Sequence, residues 1–149
     1  MLLWGDDKVT KFIGGPFNTD QIQKRFDCEI NNLKEYNIQY WPMYLLETGE
    51  FVGCAGLRPY KSDITIREIG FQLLPKFWGK GFGKEAAEAI IEYAFNTLQV
   101  KVLFGGHHPS NDASRHLLQK LGFEFSHTEL YPPTGLQHPS YFLHNPNSI

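Results

Sequence analysis

The stretch Leu73-Leu74-Pro75-Lys76-Phe77-Trp78-Gly79-Lys80-Gly81-Phe82-Gly83-Lys84-Glu85 contains a change of period on which the whole sequence turns. Ahead of it, Ile64 to Leu74 reads as a long strand, and Pro75 stops it because proline has no N–H for a ladder. Behind it, Ala87, Ile90, Ile91, Ala94, Phe95 and Leu98 mark one face of a helix from about Gly83 to Leu98. Between the two, three glycines alternate. Glycine admits positive φ and lets a backbone come close to a ligand. The first amides of a helix lack partners and sit at the positive end of its dipole, which suits a phosphate. Lys80 and Lys84 add positive charge. A bare strand-to-helix turn is the plain alternative, but it does not need three alternating glycines.

Two common phosphate ligands fit poorly. A Walker A loop requires glycine, four residues, then Gly-Lys-Ser/Thr. Here Trp78 stands where the first glycine belongs, and Glu85 follows Gly83-Lys84. A dinucleotide fingerprint can be forced onto Gly81, Gly83 and Ala86, but it wants an acid at the end of the next strand. That neighbourhood is Leu103-Phe104-Gly105, and only about 65 residues follow the loop.

Working outward, Asn18 reads as a helix N-cap with Gln21 completing a capping box. Ile22, Phe26, Ile30 and Leu33 then recur at helical spacing to about Tyr36, with Asn37 as the stop. Trp41–Glu47 and Phe51–Leu57 form a hairpin around Thr48-Gly49-Glu50. After the central helix come a short strand, Val100–Phe104, and a second helix capped by Ser110 or Asn111. That helix turns Ala113, Leu117, Leu118 and Leu121 inward and ends at Gly122. Phe123–Leu130 and Ser140–His144 close the chain as strands, and the first 17 residues carry no clear pattern. The early hairpin implies antiparallel pairing and the later strand–helix–strand units imply a parallel region. A single mixed sheet with helices on its faces is the simplest architecture.

The bulk properties bound the function. With 149 residues, the chain is one domain's worth and can bury a core without staples. A net charge of −2 and a pI near 6.3 provide no global field to hold nucleic acid or an anionic membrane. Cys28 and Cys54 match no metal or redox spacing and read as two free thiols in a reducing cytosol. No segment approaches a membrane span, and MLLWGDDKVTKF is not a signal peptide, so a cytoplasmic protein is expected. His107 and His108 are adjacent and the other four histidines are scattered, so no metal site is expected.

Glu68 to Phe123 resembles the GNAT superfamily of N-acetyltransferases, and most of all the branch that includes the RimJ and RimL ribosomal-protein acetyltransferases. The family motif, Gln/Arg-x-x-Gly-x-Gly/Ala, falls on Trp78-Gly79-Lys80-Gly81-Phe82-Gly83. Tryptophan at its head departs from the general motif but is usual in that branch. Glu68-Ile69-Gly70-Phe71-Gln72-Leu73 and the run from Asn111-Asp112-Ala113-Ser114 to Lys120-Leu121-Gly122-Phe123 also match, in the same order.

The resemblance implies a GNAT-like α/β (α+β) fold: one mixed, mostly antiparallel sheet of six to seven strands with helices on both faces. Residues 1–149 would be a single acetyltransferase domain. The family usually has a strand ahead of the first helix, and this sequence starts at about the position after it. The implied activity is acetyl transfer from acetyl-CoA to a primary amine, on a protein N-terminus or a small molecule, by direct attack. No metal, nucleic acid or membrane is implied, and homodimers are common among such folds. The amides of Gly79, Lys80, Gly81, Phe82, Gly83 and Lys84, headed by Trp78, would hold the pyrophosphate. Phe71, Gln72 and Leu73 would pair their backbone with the pantetheine arm, which Asn111 would also reach. Glu68 would be the base, or else ion-paired to a neighbour such as Arg67 or Lys61, or at a solvated edge. Ser114 would face the same ligand, or else solvent. Where many relatives carry a tyrosine acid, this sequence has Leu118. That leaves two readings: an enzyme in which Ser114 or water replaces the tyrosine, and a non-catalytic acyl-CoA-binding module.

Overall fold

Asn18 opens the longest helix with a reciprocal cap. Its side chain accepts from the Gln21 N–H and the Gln21 side chain accepts from the Asn18 N–H, each at 2.9 Å. The computed structural model describes residues 2–148, in which a short helix α1 (Asp7–Thr10) precedes this helix, α2 (Thr19–Tyr36). Asn37 ends α2 in the left-handed region, with φ 58°. There follow β1 (Tyr40–Tyr44), β2 (Phe51–Tyr60), β3 (Asp63–Leu73), α3 (Phe82–Glu92), β4 (Val102–Gly106), α4 (Asp112–Lys120), β5 (Glu124–Tyr131) and β6 (Leu136–His144).

The six strands form one sheet in the order β1-β2-β3-β4-β6-β5. Only β3 and β4, which flank α3, run parallel; the other neighbours are antiparallel. The mixed, mostly antiparallel sheet is therefore as expected, with six strands among the described residues. One face carries Leu57, Ile69 and Leu103. It packs on Ala87 and Ala94 from the α3 side and on Leu118 of α4, all but out of reach of solvent. Each large apolar side chain buried this way stabilises by about 1.5–3 kcal/mol. The opposite face carries Tyr40 and Cys54, which are covered by Leu3, Trp4 and Val9 of the N-terminal segment.

Four local departures from the sequence reading have physical causes. First, α2 forms where expected, but its apolar stripe points outward: Phe26 is 53% exposed and Leu33 40%. The face turned to the protein instead carries Arg25, Glu29 and Asn32. Glu29 there accepts the Tyr40 N–H at 2.7 Å and binds Arg58. Second, α3 ends at Glu92 and continues as one π turn, Tyr93–Thr97. Third, β1 stops at Tyr44. Pro42 is tolerated inside it because β1 is an edge strand. Fourth, β6 starts four residues earlier than expected, at Leu136. Pro139 sits one residue beyond the last β4 pair, Gly106 with Ser140, so its missing N–H breaks no ladder on that side.

Candidate active site

The parallel pairing of β3 with β4 is short. It runs from Ile66–Glu68 against Val102–Phe104 and then stops, while β3 continues to Leu73 beside β2 and β4 continues to Gly106 beside β6. The two strands part, and a cleft of about 670 Å³ opens between them. Its walls are the second half of β3, the end of β4, the glycine loop, and the first turns of α3 and α4. Along this split, β3 has backbone groups with no partner on the β4 side. Such an edge can take up an extended ligand as an added strand.

The loop at the mouth of the cleft is shaped for an anion. Gly79 and Gly81 have φ of 72° and 84°, where an L side chain is strained. Gly81 is the N-cap of α3 and offers no side-chain cap, so the amides of Phe82, Gly83 and Lys84 lie ahead of the first helical bond, Glu85 N–H to the Gly81 carbonyl. Phe77 is buried and meets Phe82 edge-on at 5.8 Å, which anchors the loop. The Trp78 indole N–H donates to the Leu73 carbonyl at 2.8 Å, closing the end of β3. Lys84 lines the cleft and lies 3.6 Å from Glu88, whereas Lys80 is exposed and outside the lining.

Glu68 lines the same cleft from β3. Its cross-strand partner is Arg58, but the Arg58 guanidinium turns to Glu29 at 2.7 Å. Among the described residues Glu68 has no salt bridge, with Arg67 and Lys61 or with any other cation; Lys61 binds Glu129. Burial pushes the Glu68 carboxyl up from the usual 4.5 to about 6, with Arg58 opposing and Glu129 adding. A carboxyl poised near neutrality in a cleft suits proton transfer.

Asn111 and Ser114 stand on the opposite wall. The Asn111 side-chain oxygen caps α4 by accepting the Ser114 N–H at 3.2 Å, which leaves the Asn111 amide nitrogen free to donate elsewhere. Leu118, one turn on, is sealed in the core beneath Gly105. Phe71 and Leu73 also line the cleft, as does Gln72, whose side chain is occupied: it accepts the Trp4 indole N–H at 2.6 Å.

Several residues of this region were not singled out from the sequence. Arg25, Tyr40 and Arg58 line the cleft beside Glu68, next to Tyr131. The available signal was the polar stripe of α2, where Arg25, Glu29 and Asn32 follow one another at helical spacing. Tyr40 is held over the sheet because Gly70 lies beneath it; a β-carbon there would overlap the Tyr40 ring. Burial works against charge on Arg58, yet Tyr40 and Glu29 beside it raise its pKa overall. His107 is fixed between the His108 carbonyl at 2.7 Å and the Tyr141 hydroxyl at 3.2 Å, and burial lowers its pKa. Among the described residues no three His, Cys, Asp or Glu side chains converge as a metal site would require, and no helix is long and apolar enough to cross a membrane.

Comparison with known proteins agrees with this geometry. Residues 1–124 match the family model described as Acetyltransferase (GNAT) domain. An uncharacterized N-acetyltransferase, p20, from Bacillus licheniformis is 32% identical over 81% of this chain and 69% of its own length. FsC-acetyl coenzyme A-N(2)-transacetylase from Aspergillus fumigatus is 35% identical over 60% of this chain and 43% of its own. The crystal structure of an acetyltransferase from Agrobacterium tumefaciens superposes with a TM-score of 0.81 at 23% identity, covering 95% of this chain and 80% of that one. With the uncapped glycine loop, the parted strands and these matches together, the chain belongs to the GNAT acetyltransferase family and is an acyltransferase.

Proposed function

We propose that this acyltransferase moves the acetyl group of acetyl-CoA onto a primary amine by direct attack, with Glu68 as general base. The observation that carries the reading is the single cleft in which an uncapped helix N-terminus, an unpaired strand edge and a carboxyl of raised pKa meet. The Gly79–Lys84 backbone would take the pyrophosphate, and Phe71–Leu73 with the Asn111 amide would take the pantetheine arm. That lays the thioester along the split towards Glu68. The name of the Aspergillus relative, which specifies acetyl coenzyme A and an N-linked product, supports the same donor and acceptor atom.

Acyl transfer from a thioester needs position, a sink for the amine proton and support for the oxyanion. The amine nitrogen forms its bond to the carbonyl carbon, and the nitrogen becomes far more acidic as it does. Glu68 takes that proton; collapse of the intermediate breaks the carbon–sulfur bond and releases the thiolate. Because Leu118 is buried where many relatives carry a tyrosine, we assign the Ser114 hydroxyl as the hydrogen-bond donor to the thiolate, which then draws its proton from water. Trp78 at the head of the loop supports placement in the RimJ/RimL-like branch, and two free thiols fit a cytoplasmic setting.

Free-thiol release from acetyl-CoA in the presence of polyamines, amino acids and N-terminal peptides tests the reaction, and thermal melting tests the donor. Acetyl-CoA at a hundredfold over its dissociation constant should stabilise by about 2.7 kcal/mol. Stabilisation without turnover on any acceptor would overturn the amine-acetylation reading. Stabilisation by neither acetyl-CoA nor coenzyme A would overturn the donor as well.

A further inference from the structure

Among the described residues, Arg25 carries the one buried side-chain nitrogen or oxygen that has no hydrogen-bond partner. It projects from the inner face of α2, its guanidinium lies over the rings of Phe17 and Trp4, at 4.9 and 5.7 Å from their centroids, and it lines the cleft beside Tyr131 and Glu68. Nη1 is buried and has no hydrogen-bond partner, although the Tyr131 hydroxyl comes close to the same guanidinium. Among the described residues Arg25 forms no salt bridge. A guanidinium does not shed its proton to escape burial. An unpaired charge and an unsatisfied N–H at the same place are both costly, and an anion on the cleft side of the guanidinium would relieve the first.

The surroundings state how much anion. Glu29 is already committed to Arg58 and to the Tyr40 N–H. Glu129 is committed to Tyr60, Lys61 and His127. Besides the exposed Lys8, that leaves Arg25 and Glu68 as the two half-buried unmatched charges of the lining, close enough to influence one another yet not bonded. An acceptor carrying both an amine and one negative charge matches them. Its nitrogen faces Glu68 and its anion faces Arg25. A planar monoanion can meet the fork of a guanidinium side-on, whereas a phosphate dianion would leave a surplus negative charge against Glu29 and Glu68.

We propose that Arg25 is the specificity residue of the acceptor site and that the acceptor is an amine bearing a carboxylate, of the amino-acid type. This rests on the acetyl-transfer reading for the reaction, but the binding of the carboxylate is separable from it. The probes are the standard amino acids and short peptides, each paired with its C-terminal carboxamide, and ethanolamine phosphate as the dianion.

With acetyl-CoA saturating, the carboxylate form of at least one pair should be acetylated about 10- to 100-fold faster in kcat/KM than its amide. Arg25→Gln should collapse that ratio through KM, while the acetyl-CoA melting shift persists. Arg25→Lys should recover part of the preference, because it restores the charge without the fork. In parallel, the protein saturated with coenzyme A should show a further melting shift with the carboxylate probe, and Arg25→Gln should lose it. That shift supports the assignment even if no amine is turned over, a result that would overturn only the catalytic reading. Equal use of acid and amide, preference for ethanolamine phosphate or for carboxylate-free polyamines, an equal loss on both members of a pair in Arg25→Gln, or no carboxylate-dependent shift would each overturn it.

Discussion

Replacing Glu68 with glutamine should slow turnover sharply and raise stability at the same time. The raised carboxyl measures what the fold gives up. A rise from 4.5 to about 6 means that the native state holds the proton more tightly than the unfolded chain does. The stability this contributes is complete below pH 4.5 and is lost as pH rises through 6. At 1.36 kcal/mol per unit the full loss is about 2 kcal/mol, and the open side of the cleft screens it to about 1–2 kcal/mol. Glutamine keeps the shape and never ionises. At pH 8 Glu68→Gln should therefore melt about 2–8 °C above the parent, and at pH 4.5 the two should melt together. On the activity side, kcat/KM of the parent should fall as pH drops through about 6, and the variant should lose about 10²–10⁴-fold on the plateau. The assay is a pH series of melting curves and thiol-release rates on both proteins. A variant no more stable than the parent at pH 8 would refute the burial argument. A variant with normal turnover would refute the base.

Other substitutions separate roles that overlap in the same residues. Asn111→Asp keeps the oxygen that caps α4 but removes the amide donors, so melting of the free protein should hardly change while the acetyl-CoA dissociation constant rises; Asn111→Ala should lose about 1 kcal/mol of stability as well. Gly81→Ala places a side chain at φ 84° and should cost about 1–2 kcal/mol and weaken acetyl-CoA, whereas Gly83→Ala, whose β-carbon would sit 3.5 Å from Leu117, should leave urea stability within about 1 kcal/mol. Arg58→Met strands the buried Glu29 carboxylate and should cost about 3–5 kcal/mol by urea unfolding; adding Glu29→Gln, which can still accept the Tyr40 N–H, should recover a large part.

The sequence made the glycine-loop side of the cleft legible because backbone requirements leave a trace in residue type. Positive φ, as at Gly79 and Gly81, favours glycine, and an N-terminal cap favours a residue like Asn18 or Asn111. The wall around Glu68 left no such trace. Arg25, Arg58, Tyr40 and Tyr131 come from α2, β2, β1 and β5, and only the tertiary fold brings them to one wall. On α2 the period announced a helix correctly but misassigned its inner face, because hydrophobic counting assumes the apolar stripe is the buried one. Here the hydrogen bonds of Glu29 outweigh it, and Phe26, Ile30 and Leu33 stay at the surface. The β5–β6 hairpin was half hidden for a related reason. Prolines at 132, 133 and 139 argue against strand until the pairing is known, and pairing is a long-range property.

The division between the two faces of the sheet also bears on what the cleft is for. Stability comes from the face packed on α3 and α4, where Leu57, Leu103 and Leu118 belong to one buried apolar cluster. The other face holds two charges that would be better off together. A direct bond between Arg25 and Glu68 would satisfy the orphaned Nη1 and draw the carboxyl pKa down, and both changes would stabilise the free protein. It would also remove the proposed base and fill the proposed place of the acceptor. Phe17 and Trp4 hold the guanidinium back, and Trp4 is itself tied to the sheet through Gln72. Separation of the pair is thus maintained by aromatic packing at a cost in stability, as expected where a site is kept ready for a ligand that supplies the missing partners.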